Sequence, residues 1–586
     1  VTLRIANCAG FLGDRLSAAR EQLEGGPVDV LTGDYLAELT MFLLWRARQK
    51  DPGAGFAATF LRQAEDVLGL ALSRGVRIVV NAGGLDPAGL AARLRELVTR
   101  LGLRARIAHV EGDDLLPRLD ALLDGHPLNH LENGEPLLGR RTQVLTANAY
   151  LGGWGIAAAL GAGADVVVCG RVADAALVVG PAAWHFGWRR DAWDPLAGAL
   201  VAGHVLECGA HATGGNYAFF REVADLRHPG FPIAEIEADG SCVITKHPGT
   251  GGLVSVGTVT AQLLYEIEGP RYASPDVVAR FDALRLSQDG PDRVRIEGVR
   301  GEPAPAHAKV GINLLGGHRN EIALVLTGLD VEEKARCVRE ALAPVLSRCA
   351  SAHLELLPWG RPDAGSNEEA CSLLRIVVRD PDPRRVGRAF SSAVVELALS
   401  SYPGFFATAP PGDASPYGVF WPALLPAALI EQVVVLDDGT RLPIGPAPSG
   451  GAVDRLPPPA ALPPLDGPTR RVPLGTLVGA RSGDKGGNAN VGFWARTDEA
   501  HAWLCAYLTV ERLRSLLPEA AALAVDRHEL PNLRALNFVI HGLLGEGVAA
   551  STRFDPQAKG LGEYLRSRLV EVPEMLVSPE APHPAA

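Results

Sequence analysis

The chain has 586 residues, of which 47% are hydrophobic and 21% charged, with a formal net charge of −11. This length exceeds what one hydrophobic core supports, so two or three domains are expected, and the composition excludes global disorder. The negative charge, with no dense Lys/Arg cluster to offset it, argues against nucleic acid and anionic membranes as partners.

The strand candidates Leu3–Asn7, Val28–Thr32, Val76–Asn81, Arg106–Val110 and Asp165–Cys169 alternate with helical patterns. One such pattern is Ala88–Leu101, whose Leu90, Leu94, Leu97, Val98 and Leu101 share a face. This alternation predicts a largely parallel sheet covered on both faces, with ligands beyond the carboxyl ends of its strands. Thr142–Ala164 is uncharged and long enough to be weighed as a membrane span. Its interrupting glycines, with Gln143 and Asn148, predict a strand, a loop and a short buried helix instead, so no membrane is expected.

Further along, Lys309–Leu315 and Glu321–Thr327 read as a hairpin through Gly316-Gly317. A helix at Val331–Ser347, strands His353–Leu357 and Leu373–Val378, and a helix at Arg384–Ser400 follow. The pattern predicts an α+β, ferredoxin-like region near 300–430. The proline-rich stretch Leu442–Pro473 cannot continue a helix or a central strand. Domains are therefore set at 1–445 and 473–586, with a linker at 446–472. The second unit begins with strand-like Gly475–Ala480, a polar loop at Arg481–Asn490 and strand Asn490–Ala495. It closes with a helix near Pro556–Arg568 and strand Leu569–Val572. The expected fold class is α/β: a largely parallel-sheet N-terminal domain, the α+β middle region and a smaller α+β C-terminal domain.

The eight cysteines are scattered without a C-x-x-C pair, which predicts reduced thiols in a cytoplasmic protein. The opening Val1-Thr-Leu-Arg-Ile-Ala enters a strand-like run with no signal-peptide pattern.

In the Arg481-Ser-Gly-Asp-Lys-Gly-Gly-Asn-Ala-Asn490 segment, the glycines allow close backbone approach to a ligand. Arg481 and Lys485 offer positive charge, and Ser482, Asp484, Asn488 and Asn490 offer directed hydrogen bonds, so a phosphate, carboxylate or thioester oxygen would suit it. The alternative is a tight hairpin whose polar residues cap one another. Three loops follow strands of the parallel sheet: Gly33-Asp-Tyr-Leu-Ala-Glu38, Asn81-Ala-Gly-Gly-Leu-Asp86 and Cys169-Gly-Arg-Val-Ala-Asp174. They make Asp34, Glu38, Asn81, Arg171 and Asp174 candidate acid/base and anchoring groups, although an Asp at a strand end is also a common helix cap. His204-x-x-Glu207-Cys208-x-x-His211 has the spacing of a helical zinc face, but the helix breaks at Gly209. Glu207 is therefore read as a polar cleft residue, and no metal is expected. His247-Pro-Gly-Thr-Gly-Gly252, with Lys246 before it, is either a phosphate cradle or a turn. Gly153-Trp-Gly-Ile-Ala-Ala158 meets a weak dinucleotide fingerprint, with Asp174 placed as its ribose acid.

Several runs together resemble the acyclic terpene utilisation (AtuA-like) family. They are Gly33–Glu38, Thr146-Ala-Asn-Ala-Tyr-Leu-Gly152, Cys169–Asp174, Ala202–Gly209, Thr213-Gly-Gly-Asn216, Leu264-Tyr-Glu-Ile267, Pro270-Arg-Tyr272, Pro403-Gly-Phe-Phe406 and Pro410–Pro416. Arg481–Gly486, Leu530–Phe538 and His541-Gly-Leu-Leu-Gly545 are similar to that family's companion domain, which has a ferredoxin-like fold. The family is associated with breakdown of citronellol- and geraniol-type terpenes beside acyl-CoA carboxylases and hydratases. The resemblance thus implies a branched acyl-CoA or related carboxylic acid as substrate.

The expected function is acid/base chemistry on such a substrate, of lyase, hydratase or isomerase type. Asp34, Glu38, Asp174 and Glu207 are the candidate catalytic groups. Asn81, Asn148, Arg171, Asn216, Lys246, Arg481, Ser482, Asp484, Lys485, Asn488, Asn490 and His541 are the candidate substrate-binding groups. No cofactor is required beyond a CoA moiety carried by the substrate, and a homo-oligomer is expected. The alternatives are a noncatalytic accessory subunit of an acyl-CoA pathway and a nucleotide-dependent oxidoreductase.

Overall fold

The computed structural model describes residues 2–450 and 467–577, so most of the proline-rich linker at 446–472 lies outside the described residues. The β-branched runs form β1 (Leu3–Asn7), β2 (Val30–Gly33), β3 (Arg77–Val80), β4 (Ile107–Glu111), β5 (Val144–Ala149) and β6 (Val166–Cys169). Five of these pair in parallel in the order β1-β2-β3-β6-β4. Helices such as Ala58–Ser73 and Pro87–Arg100 cover one face, and Trp154–Gly161, Ala176–Phe186 and Trp193–Leu206 cover the other. The near-continuous burial of these strands follows from this double cover.

Antiparallel strands extend the parallel centre at both edges into an eleven-stranded sheet. Beside β1 lie β7 (Ile233–Ile236) and β8 (Cys242–Thr245). The small strands β9 (Arg271–Ala273), β10 (Val278–Arg280) and β13 (Arg300–Glu302) form a separate sheet. Between them in sequence, β11 (Arg285–Gln288) and β12 (Arg293–Glu297) complete that edge of the main sheet.

The predicted hairpin at 309–327 is instead one strand, β14 (His307–Thr327). Gly317 takes φ +127, and its register shift bends the strand without reversing it. The first half of β14 pairs β5, its second half pairs β16 (Cys371–Asp380), and β18 (Ser415–Pro426) runs along most of it. With β15 (Ser351–Leu357) and β17 (Phe406–Ala407), these strands carry Val331–Leu346 and Arg388–Glu396 on one apolar face. This is the expected α+β middle region. Strands β19 (Gln432–Val435) and β20 (Arg441–Ile444) return to the main sheet beside β4.

The second unit holds β21 (Thr469–Pro473), β22 (Val478–Lys485), β23 (Asn488–Ala495), β24 (Val525–Leu530), β25 (Ala535–Ile540) and β26 (Leu569–Pro573). The four middle strands form an antiparallel sheet, β22-β23-β25-β24. Val478, Ala480, Val491, Phe493, Leu536 and Phe538 face helices Asp498–Tyr507, Val510–Leu516 and Leu561–Ser567. Strand alternation leaves the opposite face of this sheet against the first unit.

The Arg481–Asn490 segment is therefore a correction: it is two paired strands, with Lys485 opposite Asn488 and only Gly486-Gly487 as the turn. Among the described residues no helix is long and apolar enough to cross a membrane. Thr142–Ala164 resolves into β5, a loop and the helix Trp154–Gly161.

Candidate active site

The carboxyl ends of β2, β3 and β6 deliver Asp34, Asn81 and Arg171 to one place. Asn81 Nδ2 donates to Asp34 Oδ1 at 2.6 Å, and its own oxygen accepts the Tyr35 amide at 2.7 Å. The buried Arg171 guanidinium pairs with Asp174 at 3.0 Å and lies 4.1 Å over the Tyr150 ring. Tyr150 donates to Glu38 at 3.2 Å, and Lys309 from β14 approaches Glu38 at 3.4 Å. Behind them, Asp113 Oδ2 accepts from Asn148 Nδ2 and from the Arg171 amide, both at 2.9 Å.

The second unit completes the site. Along β22, Ser482 turns towards its own helices while Arg481, Gly483 and Lys485 turn towards the first unit. Gly483 and Gly492 are required by close approach: a Cβ at either would sit 2.5 Å from Tyr265 or Leu264. The Leu264–Ile267 segment thus plugs into the second sheet, and Asn490 Oδ1 accepts the Glu266 amide at 2.7 Å. Glu266 holds φ +56, a left-handed conformation uncommon outside glycine and enriched at functional sites. Lys559 bonds the Tyr265 hydroxyl and lies 3.3 Å from Glu266 and 3.5 Å from Asp484. Arg481 lies 4.4 Å over the Tyr265 ring and 3.1 Å from His211 Nδ1.

Lys485 has no hydrogen-bond or ion-pair partner among the described residues, and its ammonium stands 6.0 Å from the Tyr272 ring centre. Its charge acts on Glu38, Asp174, Glu207 and His204 together.

Burial acts upward on Asp34, Glu38, Asp113, Asp174, Glu207 and Asp484, and local charges then separate them. Burial and the neighbouring Asp174 push Asp34 well above the usual carboxylate range, against Arg171 and Asn81. Burial, Asp174 and Glu266 do the same to Glu207. Burial also acts upward on Glu38, but Lys309, Arg171 and Lys485 outweigh it and hold this carboxyl at about 2. Asp113 is pushed up to about 7 by burial, and Asp484 to about 7 by burial and Glu266. Burial and Lys485 lower His204 to about 4. One cleft therefore holds carboxyls that keep their proton more tightly than usual beside one that gives it up readily, with an unpaired cation among them.

The predicted groups separate into three sets. Asp34, Glu38, Asn81, Arg171, Asp174, Glu207, Arg481, Asp484 and Lys485 converge, and Asn148 supports them from behind. Ser482, Asn488 and Asn490 are turned to the second unit's own construction. Ser482 bridges the Ala558 carbonyl and the Gly562 amide, Asn488 accepts the Gly542 amide, and Asn490 bonds Asn537 as well as Glu266. Lys246, Asn216 and His541 are corrections. Lys246 is committed to Asp292 and the Thr250 carbonyl, both at 2.9 Å. Asn216 is exposed, in a left-handed turn, and touches the site only through His211. His541 pairs with Asp526 on the surface at 2.8 Å.

Tyr150, Lys309, Glu266, Tyr272, Lys559 and Asp113 were not foreseen. Only the family-like runs through Tyr150, Glu266 and Tyr272 marked their neighbourhoods. The Gly153 turn follows β5, which pairs antiparallel in another sheet, and so lacks the strand context of a dinucleotide fingerprint. A surface cleft of about 350 Å³ is lined by Leu39, Phe42, Arg46, Arg319 and Tyr417, and within the cluster Glu38, Asp174 and Lys309 remain partly exposed.

Neither a curated protein nor a solved structure matches the chain. The model of the AtuA ferredoxin-like domain matches residues 472–571, the unit that supplies Lys485. The model described as acyclic terpene utilisation family protein AtuA matches residues 3–436, which include every first-unit residue of the cluster. The chain belongs to the acyclic terpene utilisation AtuA family.

Proposed function

We propose that this protein is an enzyme that transfers a proton on a branched carboxylic acid or its CoA thioester, in a lyase, hydratase or isomerase step. The observation that carries this reading is Lys485, an unpaired ammonium set among Glu38, Asp174 and Glu207 from the other unit. A cation so placed stabilises the oxyanion that develops when a proton leaves the carbon next to a carbonyl. Asp34 and Glu207, pushed up by burial, beside Glu38, held low by Lys309 and Arg171, provide an acid and a base in one cleft, the separation of roles that proton transfer needs. Arg171 suits the substrate carboxylate or thioester oxygen. Family membership supports a branched aliphatic skeleton. Glu38, Asp174 and Lys309 keep 27%, 30% and 28% of their side chains exposed, which leaves the cluster open to a ligand.

The test is exchange of the α-proton of branched acyl-CoAs and their free acids in D2O, followed by NMR, with thermal stabilisation by the same compounds and by CoA. Wild type is expected to exchange one class, and Lys485→Met to lose about 10²–10³-fold in rate. Absence of both stabilisation and exchange across the panel would end this reading.

A further inference from the structure

His204 and Glu207 occupy the C-terminal end of the helix Trp193–Leu206, where the helix dipole disfavours a carboxylate. His204 is fully buried against the stacked rings of Tyr272, at 4.9 Å, and Phe281, at 5.5 Å. Its Nδ1 lies 3.1 Å from Glu207 Oε1, yet the two are not aligned as a hydrogen bond. Both imidazole nitrogens and Glu207 Oε2 are buried without an aligned hydrogen-bond partner, although the Gln262 backbone acts on the imidazole in favour of its charged form. Three orphaned polar atoms at one point, beside the unpaired Lys485, mark a place where a proton is handled, because buried polar groups are otherwise satisfied.

We propose that Glu207 donates the proton to substrate from Oε2, and that His204, as its Nδ1–H tautomer turned onto Oε1, is the positioning residue that leaves Oε2 as the proton-bearing atom. The assignment rests on the acid/base reading above and selects one acid among the four candidates. In the step, the Oε2–H bond breaks with its electron pair left on oxygen. The proton forms a new C–H or O–H bond with the electron pair of the substrate enolate. The resulting carboxylate is held at Oε1 by Nδ1–H and balanced by Lys485, and the reverse transfer restores the acid. Asp34 also has its donors, Asn81 and the Leu36 amide, on one oxygen, but its Oδ2 is not a buried atom without a partner as Glu207 Oε2 is. The charges that face the pair are Lys485 from the second unit, Asp174 and Arg171 from the β6 loop, and Glu266 from the plug. The neutral Tyr272 and Cys208 stand beside them.

Imidazole nitrogen NMR on the ¹⁵N-histidine-labelled full chain reads the tautomer directly, with His204→Gln to assign the signal. His204 is expected as neutral Nδ1–H at pH 7. Glu207→Gln should keep that form, and Glu207→Leu should shift it towards Nε2–H. An Nε2–H signal in wild type, or no change in Glu207→Leu, overturns the proposal. Infrared difference spectra of wild type against the isosteric Glu207→Gln provide a second readout that survives poor folding of the leucine variant. A protonated-carboxyl band at pH 7 is expected, and its absence overturns the proposal. In the exchange assay, Glu207→Gln should lose about 10²–10⁴-fold. His204→Phe should lose rate with KM unchanged, and His204→Gln should restore part of it. An exchange-active enzyme lacking the band overturns this inference alone. An inactive enzyme with the band intact overturns the reaction class, and Glu207 as donor to substrate with it.

Discussion

The Asp113 carboxyl never meets the cluster's open space, yet one of its oxygens receives both Asn148 Nδ2 and the Arg171 amide. Its folded value of about 7 stands above the reference 3.8, so the folded state holds this proton more tightly than the unfolded chain does. The stability it contributes is complete below the unfolded value and is lost as pH rises through about 7. Asp113→Asn keeps an oxygen for both donors and removes the titration. Melting against pH should therefore show the variant gaining on wild type between about pH 4 and 8, by about 1–3 kcal/mol. A constant gap across that range would contradict the assignment. Residues of this kind were hardest to see in the sequence. Asp34, Glu38, Arg171 and Asp174 could be anticipated because strand ends of a parallel sheet place them. Lys309, Glu266 and Lys559 are single charges with no spacing pattern, made neighbours only by β14, the Leu264–Ile267 plug and the turn before Leu561–Ser567.

At the scale of elements, the apolar runs that mark β1 to β4 and β6 survive in the structure because those strands are buried on both faces. It misleads where polar residues line a strand. Arg481, Asp484 and Lys485 read as a loop, although β22 carries them inward to a site rather than outward to water. Gly316-Gly317 reads as a turn, whereas β18 pairs on both sides of the bend and keeps β14 one continuous strand through it. The true turn at Gly486-Gly487 is pinned by Glu132, which accepts the Gly487 amide at 3.1 Å. A Cβ at Gly487 would meet the Gly545 carbonyl oxygen at 2.2 Å and Glu132 Oε2 at 2.7 Å. Gly487→Ala must displace the hairpin tip, at a cost of about 1–3 kcal/mol in urea unfolding. The same variant should weaken ligand stabilisation, since Lys485 directly precedes the turn. A variant that unfolds and binds as wild type would show that the tip is not held in this way.

Across the whole molecule, the two units meet through hydrogen bonds that bury polar atoms of both. Asn490 joins the Glu266 amide, Asn537 reaches the Ile267 carbonyl at 3.2 Å, and Asn532 takes the Phe281 and Leu284 carbonyls at 2.8 Å. Trp494, Leu530 and Leu533 of the second unit also pack into the first unit's core. Asn490→Ala strands the Glu266 amide and one Asn537 oxygen, so it should cost about 2–4 kcal/mol. In calorimetry it should split or broaden a transition that is single in wild type, and an unchanged trace would mean that the units are not coupled through this residue.

The same division of labour has a consequence during synthesis. The first unit leaves the ribosome carrying Asp34, Glu38, Asp174, Glu207 and Glu266, while Lys485 and Lys559, which offset them, are translated later. Until those lysines arrive, Arg171 and Lys309 are the cations among the site's charges, Glu207 lacks Lys485 and Glu266 lacks Lys559, so any chemistry that needs Lys485 waits on translation of the second unit.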